Sequence, residues 1–336
     1  MDQFKGFDGR ELEFFLPDTP ERFDSQSFKG STLIFPVVSI GNVPQLVVDL
    51  LIFGCLKDDR VGLGPIQRVG TLDPVDHIPV VSLRDKRFHI HSQKDRQIEH
   101  QDGLISDPIE VYQTSDRLYT IVQQRSPVIR ALKESHIEKL KRWIICSRFS
   151  SILLLVSVDS ATRSDAQLVE GSSSPFYHLN LENHPQSLSD DSTQIRKNLI
   201  NRLDPLVGPT RGKSLNNGGC EKRGQVVPVL SAGGLSRRIL INFKNHNQNL
   251  SLNDHQGLPE VNSLVMYACE GDNRSDSIRF LKELLKILKS SSESNSESRS
   301  DHNASGDGLN ELECEPLSWN MLKNVNFSKI NVELFG

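Results

Sequence analysis

The stretch Ser31 to Cys55, STLIFPVVSIGNVPQLVVDLLIFGC, restricts the possible folds more than any other part of the chain, because it reads as one buried strand turning directly into one buried helix. Thr32 to Ser39 is rich in β-branched and apolar residues, the composition of a strand covered on both faces in a parallel or mixed sheet. Gly41-Asn42 then breaks the run. Asn42 is expected to cap a helix through its side-chain oxygen, Pro44 is tolerated in a first turn that lacks N–H partners anyway, and Gly54 is expected to end the helix. Gln45 and Asp49 interrupt the apolar surface, and at a spacing of four they share one narrow polar stripe. Leu33 to Phe53 also approaches the roughly twenty residues of a bilayer span. Asn42, Pro44 and above all the Asp49 carboxylate make such a span costly, and the segment has the wrong position and flanks for a signal peptide.

A second unit points to the same architecture. From Pro127 to Ser147, Ile129, Leu132, His136, Leu140, Trp143 and Ile144 recur at spacings of three and four, which predicts an amphipathic helix. It feeds straight into the apolar run Ser151 to Val156, of strand length. A helix followed at once by a buried strand is half of a βαβ crossover. The fold expected is α/β: a mixed, largely parallel central sheet with helices on both faces, plus disordered insertions.

The remaining pattern is weaker. Val61 to Gln67, Phe88 to His91, Arg238 to Phe243 and Ser263 to Cys269 read as strands, Leu72 to Pro79 as a loop, and Ile109 to Tyr112 with Leu118 to Gln124 as a hairpin turning at Thr114 to Arg117. Asp272 is expected to cap a helix running to Lys289, with Ile278, Leu281, Leu285 and Leu288 on one face. Residues 1–30, polar apart from aromatics such as Phe14 and Phe15, suggest a flexible arm, and the α/β domain is expected over residues 31–289. Within it, 181–224 reads as a mobile insertion with one or two helical turns around Leu199, Ile200, Leu203 and Leu206. A Ser-rich linker at 290–310 cannot bury enough to order itself, and 311–336 forms a C-terminal tail.

Composition narrows the function classes. Apolar residues make up 36% and charged residues 24%, a low apolar share that fits a core interrupted by inserts. A net charge of −4 gives no electrostatic reason to expect nucleic acid or a membrane surface as partner. The five cysteines are scattered singly and odd in number, as expected of reduced thiols in the cytoplasm or nucleus.

Few residues form a chemical motif. Gly62-Leu63-Gly64 lacks the third glycine of a dinucleotide fingerprint, where Gln67 stands, and Gly233-Gly234 lacks the Lys-Ser or Lys-Thr of a P-loop, so backbone turns explain both better. His89 and His91 would share a strand face, with His77 and His100 near in sequence, but no cysteine or carboxylate completes a zinc set. No metal and no cofactor is expected. The strongest enzymatic candidate is the loop Ser157 to Asp165, which places Asp159, Ser160, Thr162, Arg163 and Asp165 beyond the carboxyl end of a strand, where ligands collect in parallel sheets. It would suit a hydrolase or transferase of nucleoside-like substrates, although no histidine in the loop serves as base.

The segment Ser39 to Ile52, SIGNVPQLVVDLLI, resembles the first strand-helix unit of the proteasome assembly chaperone 2 family. Val111-Tyr112, Arg163-Ser164-Asp165-Ala166-Gln167-Leu168, Gly233-Gly234-Leu235-Ser236-Arg237 and Glu270-Gly271-Asp272-Asn273 match in the same order, together spanning about Leu33 to Lys289. The resemblance implies a non-enzymatic helper in building the proteasome α-ring, acting as a heterodimer with proteasome assembly chaperone 1. It also implies a C-terminal tail of the form hydrophobic residue, tyrosine, any residue, entering a pocket between neighbouring α-subunits. Leu334 fits the hydrophobic position, Phe335 replaces the tyrosine, and Gly336 supplies the carboxylate. Phenylalanine keeps a ring burial of roughly 1.5 to 3 kcal/mol but forgoes a hydroxyl hydrogen bond of about 1 kcal/mol.

Overall fold

The computed structural model describes residues 14–20, 23–24, 26–56, 61–79, 107–163, 174–181, 193–206, 227–249, 257–289 and Trp319. In chain order the elements are β1 (Phe15–Pro17), β2 (Thr32–Pro36), α1 (Val43–Leu56), β3 (Ile66–Leu72), β4 (Ile109–Thr114), β5 (Tyr119–Gln124), α2 (Lys133–Ser147), β6 (Ser151–Asp159), β7 (Phe176–Leu181), α3 (Gln194–Arg202), β8 (Asp204–Pro205), α4 (Ser236–Asn249), β9 (Glu260–Ala268) and α5 (Arg274–Leu288). Among the described residues the strands form one sheet in the order β1-β3-β4-β5-β2-β6-β9-β7-β8.

Its centre is parallel. β2 lies between β5 and β6, with Ile34 opposite both Ile121 and Leu153, and β6 pairs with β9 along its whole length. The β5-α2-β6 connection is therefore a parallel crossover around β2, as the helix-then-strand pattern predicts. Toward both edges the pairing turns antiparallel, at β3, β4 and β5 on one side and β9 and β7 on the other. β2 is buried at every position, which is why its sequence is an unbroken apolar run and not an alternating one.

The helices cover both faces. On one, Val47, Val48, Leu50 and Leu51 of α1 pack with Phe280, Leu281, Leu284 and Leu285 of α5 and with Ile195 and Leu199 of α3. On the other, Ile137, Leu140, Trp143 and Ile144 of α2 join Ile239, Leu240 and Phe243 of α4. Residues 32–36 form a strand and α1 has 14 residues, so Leu33 to Phe53 is not one continuous span, and no helix among the described residues is long and apolar enough to cross a membrane.

Several local expectations are corrected. Arg238 to Phe243 is part of helix α4, not a strand: Ile239, Leu240 and Phe243 bury one helical face, and so short a β-rich run does not reveal its period. Asn42 has φ of 53° inside a short 3-10 turn and makes no cap, and α1 runs past Gly54 to Leu56. Gly54 is needed for close approach instead, since a Cβ there would lie 2.5 Å from Val61. Val61 to Pro65 is a turn, and the strand begins at Ile66. α2 starts only at Lys133: Val128 is in a bridge to His77, and Arg130–Leu132 forms a 3-10 turn before the helix. Within 181–224 the helical turns expected around Leu199 are present as α3, with Leu199 buried and Ile200 49% exposed. Phe88 to His91 lies outside the described residues.

The stretch expected to be an arm is tied down where it is described. β1 pairs with β3, and Phe15 stands 5.0 Å from Phe28, centroid to centroid. Phe14, Phe28, Trp143 and Phe149 complete an aromatic cluster under α2. Edge-to-face rings at such distances add about 0.5 to 1.5 kcal/mol per pair beyond their burial.

Candidate functional site

The stretch expected to be a loop from Ser157 begins inside β6, which runs on to Asp159; it sits at the carboxyl end of the central strands, where most of its polar groups serve the backbone. Ser157 is fully buried: its Oγ donates to the Ile40 carbonyl at 2.6 Å and lies 2.9 Å from Ser39 Oγ, stitching the turn between β2 and α1 to β6. Asp159 caps a 3-10 turn, accepting from Ala161 N at 2.9 Å, and Thr162 Oγ1 donates back to the Asp159 carbonyl at 2.6 Å. Arg163 donates to the Ser174 carbonyl at 3.2 Å and lies over the Tyr267 ring, 5.8 Å from its centre. Ser160 Oγ meets Cys269 Sγ at 2.7 Å, and Asp165 lies outside the described residues. Asp159→Ala is expected to cost about 1 kcal/mol, the usual loss for a helical cap, when unfolding is followed in urea.

Three of the segments that carry the family resemblance, those beginning at Ser39, Gly233 and Glu270, meet at this same end of the sheet. Gly234, at φ of 61°, passes so close to the Val38 carbonyl that a Cβ would lie 1.8 Å from its oxygen. Ile40 N donates to the Ala232 carbonyl at 3.0 Å, and Asp159 N to the Ser231 carbonyl at 3.0 Å. The Asn273 amide reaches the carbonyls of Gly41, Cys269 and Gly271 at 3.2, 3.0 and 3.1 Å. Asp272 accepts from Arg274 N at 3.2 Å as expected, while Asn273 is the residue that opens α5. Motifs far apart in sequence thus form one interlocked set of turns whose contacts are mainly to backbone.

The polar stripe of α1 faces inward. Gln45 and Asp49 are both buried, and Asp49 binds across the helix-sheet contact to β5 and the residue after it. Its carboxylate takes the Arg125 guanidinium at 3.0 Å and the Gln123 amide, and its other oxygen accepts from Trp319 Nε1 at 3.1 Å. The Trp319 ring is 2% exposed and belongs to the apolar cluster around α1 and α5.

A further buried cluster lies on the opposite face. His77 and His136 rings meet edge to face at 4.9 Å, beside Asp76, whose carboxylate is held by Lys139 at 3.0 Å. Burial lowers the His77 pKa to about 4 and that of His136 to about 3, so both are neutral at pH 7. His89, His91 and His100 lie outside the described residues, and among the described residues no group of three or more histidines, cysteines and carboxylates is placed to hold a metal ion. Leu334, Phe335 and Gly336 also lie outside them.

No family model matches the chain. It is 27% identical over 271 residues to Proteasome assembly chaperone 2 of Nematostella vectensis, and the match covers 80% of this chain and 94% of that one. The chain is a relative of proteasome assembly chaperone 2. The protein of that name from Homo sapiens is 26% identical over 265 residues, covering 77% of this chain and 83% of its own. The crystal structure of Pyrococcus furiosus PbaA, an archaeal homolog of proteasome-assembly chaperone, superposes with a TM-score of 0.48 at 9% identity, covering 88% of this chain and 92% of PbaA.

For a relative of proteasome assembly chaperone 2, the residue that sequence reading undervalued is Trp319. Nothing local in 311–336 marks it as buried, and the signal that could have found it lies elsewhere. Asp49, a carboxylate in an otherwise apolar helix, requires donors, and Trp319 Nε1 is one of them.

Proposed function

We propose that this chain is an assembly chaperone for the proteasome core particle, promoting α-ring formation as a heterodimer with proteasome assembly chaperone 1. The observation that carries this reading is the similarity to Proteasome assembly chaperone 2, which spans 94% of the Nematostella vectensis protein and so includes both helix layers of the sheet. The engagement of Ser157, Asp159, Thr162 and Arg163 in backbone contacts supports a scaffold over a catalyst. The chain works without cofactor or catalysis, in the cytoplasm and nucleus, and offers other subunits surfaces on which to meet.

In this reading the α/β domain binds the sister chaperone and the C-terminal residues Leu334, Phe335 and Gly336 enter a pocket between α-subunits. Two tethered contacts raise each other's effective concentration without a new type of interaction. Deleting Leu334 to Gly336 is expected to weaken α-ring binding about tenfold or more while leaving the melting temperature unchanged, as measured by titration with α-subunits and by calorimetry. Equal binding by the truncated chain removes the tail from the mechanism.

A further inference from the structure

We propose that Trp319, held by Asp49 of α1, is the anchor from which the C-terminal tail reaches the α-ring. The inference rests on the tail-docking reading above and adds where the tail is rooted. Asp49 lies 270 residues away in sequence, yet its carboxylate accepts the indole N–H at 3.1 Å inside an apolar cluster. The same carboxylate is fixed by Arg125 and Gln123, so the acceptor is held in place by β5 and its flank before the indole arrives. A buried indole with its single donor satisfied combines a large apolar contact with a directional bond.

The position of the anchor sets the lever arm. Helix α5 ends at Leu288, and a tail rooted there has about 45 residues from Lys289 to Leu334, whereas one rooted at Trp319 has about 15. Fully extended, about 15 residues reach roughly 50 Å. Because effective concentration falls as about the −3/2 power of tether length, the shorter tether holds Leu334 to Gly336 near the ring at about five times the effective concentration. Residues 290–318 then matter only for bringing Trp319 back to α1, and residues 320–333 alone determine reach.

Two insertions in the full chain separate these roles. About thirty Gly/Ser residues placed between 320 and 333 should weaken α-ring binding about fivefold, while the same insert within 290–310 should leave it unchanged. Equal losses of about twofold from both inserts would overturn the anchor while keeping the tail reading. No loss from either insert, together with no loss on deleting Leu334 to Gly336, would overturn the tail reading and the proposal with it. No loss from either insert while that deletion does weaken binding would overturn the anchor alone.

A second measurement needs no ring. The chain has two tryptophans, so 5-fluorotryptophan labelling gives two fluorine resonances, and the one lost in Trp319→Phe belongs to Trp319. Broadening by a soluble paramagnetic agent should be as slight for Trp319 as for the buried Trp143. Strong broadening of the Trp319 resonance alone would overturn the anchor whatever the insertions show.

Discussion

Replacing Asp49 with alanine is expected to lower the unfolding free energy by about 3–5 kcal/mol, the cost of breaking a buried ion pair from one side. The residue is 5% exposed, and its loss removes a buried carboxylate from beside the Arg125 guanidinium, whose side chain is 9% exposed. Gln123 and Trp319 lose an acceptor at the same time. For a chain of this size the loss corresponds to a fall of about 10 °C in melting temperature. The double variant Asp49→Leu, Arg125→Met should recover much of it, because removing both charges removes the desolvation penalty. Urea titrations of the single and double variants check this. A single variant within about 1 kcal/mol of the parent would mean that Arg125 gains access to water.

Acidification is expected to produce the second large effect. The folded pKa of His77 lies at about 4 and that of His136 at about 3, both below the ordinary value of 6.5, with burial as the main cause and Asp76, Asp73 and Lys139 as the facing charges. Between these values and 6.5 the unfolded chain binds protons that the folded chain does not, so stability falls as pH drops. The full stability is present above about pH 6.5. At pH 5 each imidazole costs roughly 2 kcal/mol, together on the order of 4 kcal/mol. His178, whose pKa is lowered by burial, acts in the same direction. Urea unfolding at pH 7 and pH 5 reads the difference, and His136→Phe should reduce it by about half. Equal stability at the two pH values would show that the folded cluster takes up protons.

The parts of the fold legible in the sequence are those whose signal is local. The apolar run of β2 leading into α1, and the three-four spacing of α2 leading into β6, each report their own burial, and the parallel centre follows from them. The illegible parts are stabilised from a distance. Phe14 and Phe15 lie in a polar stretch, and only the aromatic cluster with Phe28, Trp143 and Phe149 explains their burial. Helix α4 was hidden because Ile239, Leu240 and Phe243 make too short an apolar run to distinguish periods of two and 3.6. At the candidate site, a turn after β6 could be located from the strand before it, but neither the continuation of β6 through Ser157 to Asp159 nor the backbone carbonyls and amides that engage these side chains. The Asp49 to Trp319 contact joins residues whose sequence separation leaves no periodic trace.

The central claim is that this molecule acts by being docked upon, and affinity capture of the tagged full chain from its own cell extract, read by mass spectrometry, tests it most directly. The account predicts a related sister chaperone in near-equal amount together with proteasome α-subunits. Recovery of the chain with neither would contradict it.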